Sequence, residues 1–157
     1  IADGDWSSDV CSSDLLSPAD LSPELSKHFR GLRMWLPLKL FGVAPFRAAL
    51  QEKLELARYF HREVQKIEGI ETGPEPELSV MFFRYVPDGN RSEQEANAFN
   101  KQLVDALHED GRVFLSSTNI KETVYIRLAV LSFRTHLKDI DLTLEILREK
   151  IDELKNR

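Results

Sequence analysis

The sequence predicts an α+β fold in which helices pack on one antiparallel sheet, with two long helices preceding it. Three observations lead there. Apolar residues recur at helical spacing before Ile67 and after His136, they alternate with period two from Thr123 to Leu131, and Gly and Pro clusters separate the regimes. The resulting order is helix, helix, strand, helix, strand, strand, helix, without an internal repeat.

Ser22-Pro23-Glu24 has the residues of a helix start: an N-cap serine, a proline where its missing N–H costs nothing, and an acid in the first turn. That helix is expected to run from Pro23 to about Phe41, to bend or break at Pro37, and to end at Gly42. Ala44-Pro45 opens a second helix, with Leu50, Leu54, Ala57, Phe60 and Val64 on one face, stopping near Gly69. Glu71 to Glu77, with one Gly and two Pro, reads as a linker. Leu78 to Val86 is rich in aromatic and β-branched residues and predicts a strand, and Pro87 to Asn90 a turn. Ser92 to Glu95 forms a capping box for a helix carrying Ala96, Phe99, Leu103 and Leu107 to about Asp110, closed by Gly111. Strands are expected at Arg112 to Ser117 and at Thr123 to Leu131, where Val124, Ile126, Leu128 and Val130 face one way. A last helix lines up Leu137, Ile140, Leu144, Leu147, Ile151 and Leu154 against the sheet. Residues 68–157 are enough for a marginal core, whereas the two helices in residues 16–67 need another surface to cover them.

The chain has 157 residues, 21 Lys+Arg, 26 Asp+Glu and 42% hydrophobic residues, a composition of folded domains. No apolar run approaches the ~20 residues of a membrane span, so no membrane segment is expected. A net charge of −5 without a basic, aromatic stripe argues against a nucleic-acid partner. Four scattered His and one Cys offer no metal spacing. Residues 1–15 are unlike the rest: four acids, no base and few core-forming side chains. Asp5 to Leu15 (DWSSDVCSSDL) back-translates into the end of a common sequencing-library adapter, so these residues are expected to be an artefact and the remainder a fragment. Without them, 22 acids face 21 bases and the lone cysteine, Cys11, is gone, which suits a reducing compartment, the cytoplasm.

No phosphate-binding Gly loop, nucleophile elbow or paired-acid site is present. His61, His108 and His136 lie on charge-rich helices and read as solvated imidazoles. Ser116 to Asn119 could face an anion, but side-chain-to-backbone bonding is the ordinary role of such a run. Trp35, Phe41 and Phe46 read as core or interface anchors.

Leu25 to Val43 (LSKHFRGLRMWLPLKLFGV), a basic, aromatic helix closing on Phe41-Gly42-Val43, carries more information. It resembles the start of the C-terminal region of the group II pyridoxal-phosphate-dependent amino acid decarboxylases, the family of the aromatic-amino-acid, histidine and glutamate decarboxylases. Leu56 to Phe60 is similar to that family's long helix after the glycine, Val80 to Arg84 to its apolar strand ending in Phe-Arg, and Val113 to Ser117 and Ile126 to Ala129 to its last two strands. The resemblance runs from Ser17 to Arg157.

The resemblance implies the C-terminal small domain of a fold type I, homodimeric enzyme acting on an amino acid substrate. In such an enzyme a lysine holds pyridoxal 5'-phosphate as a Schiff base, and the ring accepts the electrons released as carbon dioxide leaves. It implies too that this lysine, the acid facing the ring nitrogen and the catalytic loop belong to the large domain upstream, so no catalytic, cofactor-binding or metal-binding residue is assigned in this chain and the chain alone should be inactive. Two substrate-binding residues follow from the same resemblance. Ser26 matches a small residue that approaches the substrate side chain, and Lys27 stands where the family usually has Arg, keeping its charge but not its bidentate fork. Two other readings compete: a non-catalytic small-ligand or regulatory module, one strand short of a ferredoxin-like order, and the small domain of another fold type I enzyme.

Overall fold

The computed structural model describes residues 28–87 and 92–156. It divides into two compact units at Gly42/Val43. In the first, a turn at Phe29 to Gly31 leads into helix α1 (Leu32–Phe41). Pro23, where a helix start is expected, lies outside the described residues. The described helix begins later than that reading requires: His28 and Phe29 are not helical, and Gly31, a poor helix former, stands at the N-cap. Pro37 sits inside α1 without ending it, and Gly42, at φ 74°, closes it by donating to the Leu38 carbonyl at 3.0 Å. None of α1's residues is buried.

The second unit holds α2 (Ala44–Val64), β1 (Ile70–Thr72), β2 (Val80–Tyr85), α3 (Glu93–Asp110), β3 (Ser116–Ile120), β4 (Thr123–Ala129) and α4 (Leu137–Lys155). The strands form one antiparallel sheet in the order β1-β2-β4-β3, with α2 and α3 packed on one face and α4 packed against both of these helices. Period-two alternation sets that face: Met81, Phe83 and Tyr85 of β2 and Ile126 and Leu128 of β4 share one core cluster with Leu56, Phe60, Val64, Leu103, Leu107, Ile140, Leu147 and Ile151 of the helices, and Val124 is buried in step with them. Val130, just past β4, is buried in step with them.

The expected capping box is present, Ser92 Oγ accepting from Glu95 N–H and Glu95 Oε2 accepting from Ser92 N–H. Gly111 ends α3 in the left-handed region. Two strand expectations need correction. Part of the expected linker is an edge strand, Ile70–Thr72, too short to show a period; Gly69, at φ 82°, turns the chain into it under the Tyr85 ring, where a Cβ would come within 2.6 Å. The strand expected at Arg112 to Ser117 lies at Ser116–Ile120, because pairing with β4 and the two-residue turn at Lys121-Glu122 decide its register. With β1 in place the order is strand-strand-helix-strand-strand-helix, which departs from the ferredoxin-like pattern. Among the described residues no helix is long and apolar enough to cross a membrane.

Candidate functional site: the helix-free face of the sheet

The second face of the sheet belongs to the side chains that alternate with the core. Register places Glu71 beside Arg84, Phe82 beside Arg127, Arg127 beside Ser116, Tyr125 beside Thr118 and Val80 beside Ala129. None of these residues is in the core cluster. The Ser79 carbonyl accepts from Val130 N–H at 2.8 Å, so the same register brings Leu78 opposite Leu131 beyond the strand ends.

The face has three zones. At one end Arg84 donates to Glu71 at 2.8 Å and to Glu93 at 2.5 Å, while Thr123 donates its hydroxyl proton to the same Glu93 oxygen at 2.9 Å. Burial works against the charged guanidinium, and the two carboxylates more than offset it, so Arg84 keeps its proton above the ordinary range. Glu93 is held below the ordinary carboxylate range, first by the Thr123 hydroxyl and then by Arg84. In the middle, Phe82 meets Tyr125 edge-on at 5.1 Å, Arg84 lies 5.6 Å from the Tyr125 ring centre, and Gly73 leaves room for Phe82, whose ring a Cβ would meet at 2.5 Å. The other end is apolar: Leu78, Val80, Ala129 and Leu131 are exposed, the two leucines by 71% and 73%. Beside this end Arg127 donates to Ser116 Oγ at 3.1 Å, which is where one member of the Ser116 to Asn119 run finds its partner.

This face has no nucleophile beside a base, and Arg84 is committed to its own carboxylates; its chemistry is that of a packing surface. Elsewhere the histidines correct the sequence reading in part. His61 is buried on α2 and donates from Nε2 to the Gly73 carbonyl at 3.1 Å, holding the β1–β2 connection against the helix. The His108 ring stacks on Phe114 at 4.7 Å, and its Nε2 donates to the Leu115 carbonyl at 2.6 Å. His108 and His136 are both exposed, and His136 Nδ1 lies 2.7 Å from Glu52 Oε1. Sequence reasoning missed Asn97 and Asn100, whose side chains join α3 to β4 and β2; their polarity on a core-facing helix was the available signal. Ser26 and Lys27 lie outside the described residues.

A pyridoxal phosphate site requires an uncommitted lysine amine and a cradle for the phosphate. The described residues do not fit it. Their one buried lysine, Lys53, donates to the Thr135 carbonyl at 2.5 Å and to Glu52 at 2.9 Å. No buried side-chain N or O among the described residues lacks a partner, and none of their His, Asp or Glu clusters could hold a metal.

Residues 18–86 match the family model described as the pyridoxal-dependent decarboxylase conserved domain. The chain is 37% identical over 117 residues to an aromatic-L-amino-acid decarboxylase of Bacillus atrophaeus, an alignment covering 74% of this chain and 24% of that protein. It is 27% identical over 133 residues to tyrosine decarboxylase 4 of Petroselinum crispum, covering 83% and 26%. Among solved structures, Catharanthus roseus tryptophan decarboxylase in complex with L-tryptophan superposes with a TM-score of 0.73 at 26% identity, covering 81% of this chain and 27% of that one. An Oryza sativa TDC structure with PLP has the same fold, with a TM-score of 0.77 at 20% identity over 87% of this chain and 30% of that one. The chain thus spans about a quarter of the length of the curated relatives it matches. In sequence and in fold, the chain is thus similar to a part of the pyridoxal-phosphate-dependent amino acid decarboxylases.

Proposed function

We propose that the whole protein is a homodimeric, cytoplasmic, pyridoxal-phosphate-dependent L-amino acid decarboxylase, a carboxy-lyase, and that this chain supplies its C-terminal α+β small domain. The 37% identity to the Bacillus atrophaeus enzyme carries the reading, and the relatives' names favour an aromatic amino acid as substrate. The cofactor, when bound, supplies an electron sink for the departing carboxylate. Residues 16–67 would join the large and small domains, and residues 68–157 would form the small domain itself. The committed amine of Lys53 supports placing the covalent lysine in the large domain.

The test has two parts. The whole protein incubated with the cofactor and L-tryptophan, L-tyrosine or L-phenylalanine should release carbon dioxide and an amine. The chain alone, mixed with the cofactor and treated with borohydride, should trap no stoichiometric adduct on any one lysine. An adduct on a single lysine of the chain would overturn the assignment of that group to the large domain.

Ser26 is proposed to border the substrate side chain, with Lys27 as the cation next to it. Ser26→Gly in the whole enzyme should shift relative kcat/KM toward bulkier amino acids, a methylene-sized change being worth ~1–3 kcal/mol. An unchanged ratio for Ser26→Gly and Ser26→Ala would make Ser26 an ordinary helix-start serine.

A further inference from the structure

The geometry points to a binding site for one apolar aminoacyl unit with a free carboxylate, from a free amino acid or the last residue of a peptide, where β3 stops pairing with β4. Antiparallel pairing alternates, so successive residues of β4 aim their backbone groups at opposite neighbours. The bond from Val130 N–H to the Ser79 carbonyl turns Val130 toward β2, and the same alternation turns Ala129 N–H and C=O toward the β3 side. The β3–β4 pairing ends with Ser116 opposite Arg127, two residues short of Ala129. Continued, it would set Phe114 opposite Ala129 with both side chains on the helix-free face. The Phe114 ring stacks instead on His108 of α3 at 4.7 Å, and His108 Nε2 donates to the Leu115 carbonyl at 2.6 Å. Among the described residues no hydrogen bond joins Ala129 to residues 112–115.

Beside Ala129 lies a cavity of about 350 Å³ walled by Val113, Leu115, Leu128, Val130, Ile140 and Leu142, a size at the lower end of small-ligand sites. Three charged groups line it as well. Arg112 is taken by Asp110 and Glu149, and Asp139 accepts from His136 N–H at 2.8 Å. Arg134 has no carboxylate partner among the described residues; its guanidinium lies 5.3 Å from the Phe133 ring centre. An aminoacyl unit meets each group on offer. Its nitrogen donates to the Ala129 carbonyl, its carboxylate accepts from Ala129 N–H and from Arg134, and its side chain covers the apolar walls. The open stretch is one residue long, because Arg127 is already paired and β4 ends at Ala129, so an added strand would find no second rung.

The test titrates the isotope-labelled 157-residue chain with L-leucine and with N-acetyl-L-leucine, following the Ala129 amide and the methyls of Leu115, Val130 and Ile140 by NMR. These groups should shift with a Kd on the order of a millimolar, as suits ligands this small. The tighter of the two probes identifies the source, free amino acid or chain end. Leucinol, which lacks the carboxylate, should bind about tenfold more weakly than L-leucine, and Arg134→Gln should weaken both carboxylates by about tenfold, with Arg134→Lys recovering part of the loss. Arg134 is exposed, so its variants should keep the wild-type thermal midpoint, which separates lost binding from lost folding. Unmoved resonances with either probe at roughly 50 mM would overturn the proposal. Equal affinity for leucinol, or wild-type affinity in Arg134→Gln, would overturn it too.

Discussion

Asn100 faces the core from α3, where its amide donates to the carbonyls of Tyr85 at 2.7 Å and Ala96 at 2.8 Å and accepts from Tyr85 N–H at 2.8 Å. Asn97, about one turn earlier, accepts from Val124 N–H at 2.7 Å and donates to the Glu122 carbonyl at 2.9 Å. The two amides take up backbone groups at the end where β2 and β4 are no longer paired. Asn100→Ala strands a buried N–H and C=O and should cost about 2–4 kcal/mol, read as a lower urea midpoint at unchanged slope. Asn97→Ala, nearer to solvent, should cost less. Asp110 offers a pH test: the Arg112 guanidinium donates to both its oxygens, at 2.6 and 2.8 Å, with Lys150 at 3.7 Å, and lowers its pKa to about 2 from 3.8. Because the folded value is the depressed one, this contribution to stability is complete above pH 4 and disappears as pH falls toward 2. An NMR titration should find the low midpoint, and Arg112→Ala should return it toward the ordinary value.

At the scale of elements, the β3–β4 hairpin turns through two residues, Lys121 at φ 49° and Glu122 at φ 69°, with Ile120 paired to Thr123. Both central residues are left-handed, the geometry that Asn-Gly adopts at least cost. Lys121→Asn/Glu122→Gly should therefore stabilise the chain by ~1 kcal/mol, the relieved strain exceeding the entropy that glycine adds to the unfolded state. Thermal unfolding of the double variant checks this; a lowered midpoint would mean that these side chains contribute more than the turn geometry costs. Helix α3 behaves as its sequence predicts because its cap signals are local, Ser92 and Glu95 reciprocally bonded and Gly111 at φ 75°. The strand β1 is the opposite case. Nothing in Ile70-Glu71-Thr72 marks a strand until Arg84 and Tyr85 lie beside it.

For the whole molecule, every residue of the core cluster lies between Leu56 and Ile151, and α1 contributes none. Removing residues 1–42 should accordingly leave a cooperatively unfolding Val43–Arg157 unit with nearly the midpoint of the full chain. A non-cooperative transition after the deletion would show that the first unit carries part of the stability. Met34, Trp35, Leu40 and Phe41 give α1 an exposed apolar surface of its own.

By itself the sequence determined the α+β class, the faces of α3, α4 and β4, and the likeness to the decarboxylases, because hydrophobic period, helix caps and segment order are properties of neighbouring residues. Val124, Ile126 and Leu128 could only line one side of a strand, whatever that strand met. The tertiary structure alone decided what long-range pairing brings together. It made an edge strand of Ile70–Thr72, moved β3 to Ser116–Ile120, buried His61 over Gly73, set Asn97 and Asn100 between helix and sheet, and placed Leu78 across from Leu131. The physical reason is that backbone hydrogen bonds between strands carry no side-chain label: register comes from the joint fit of turns, core and amides, which exists only once the chain has closed on itself.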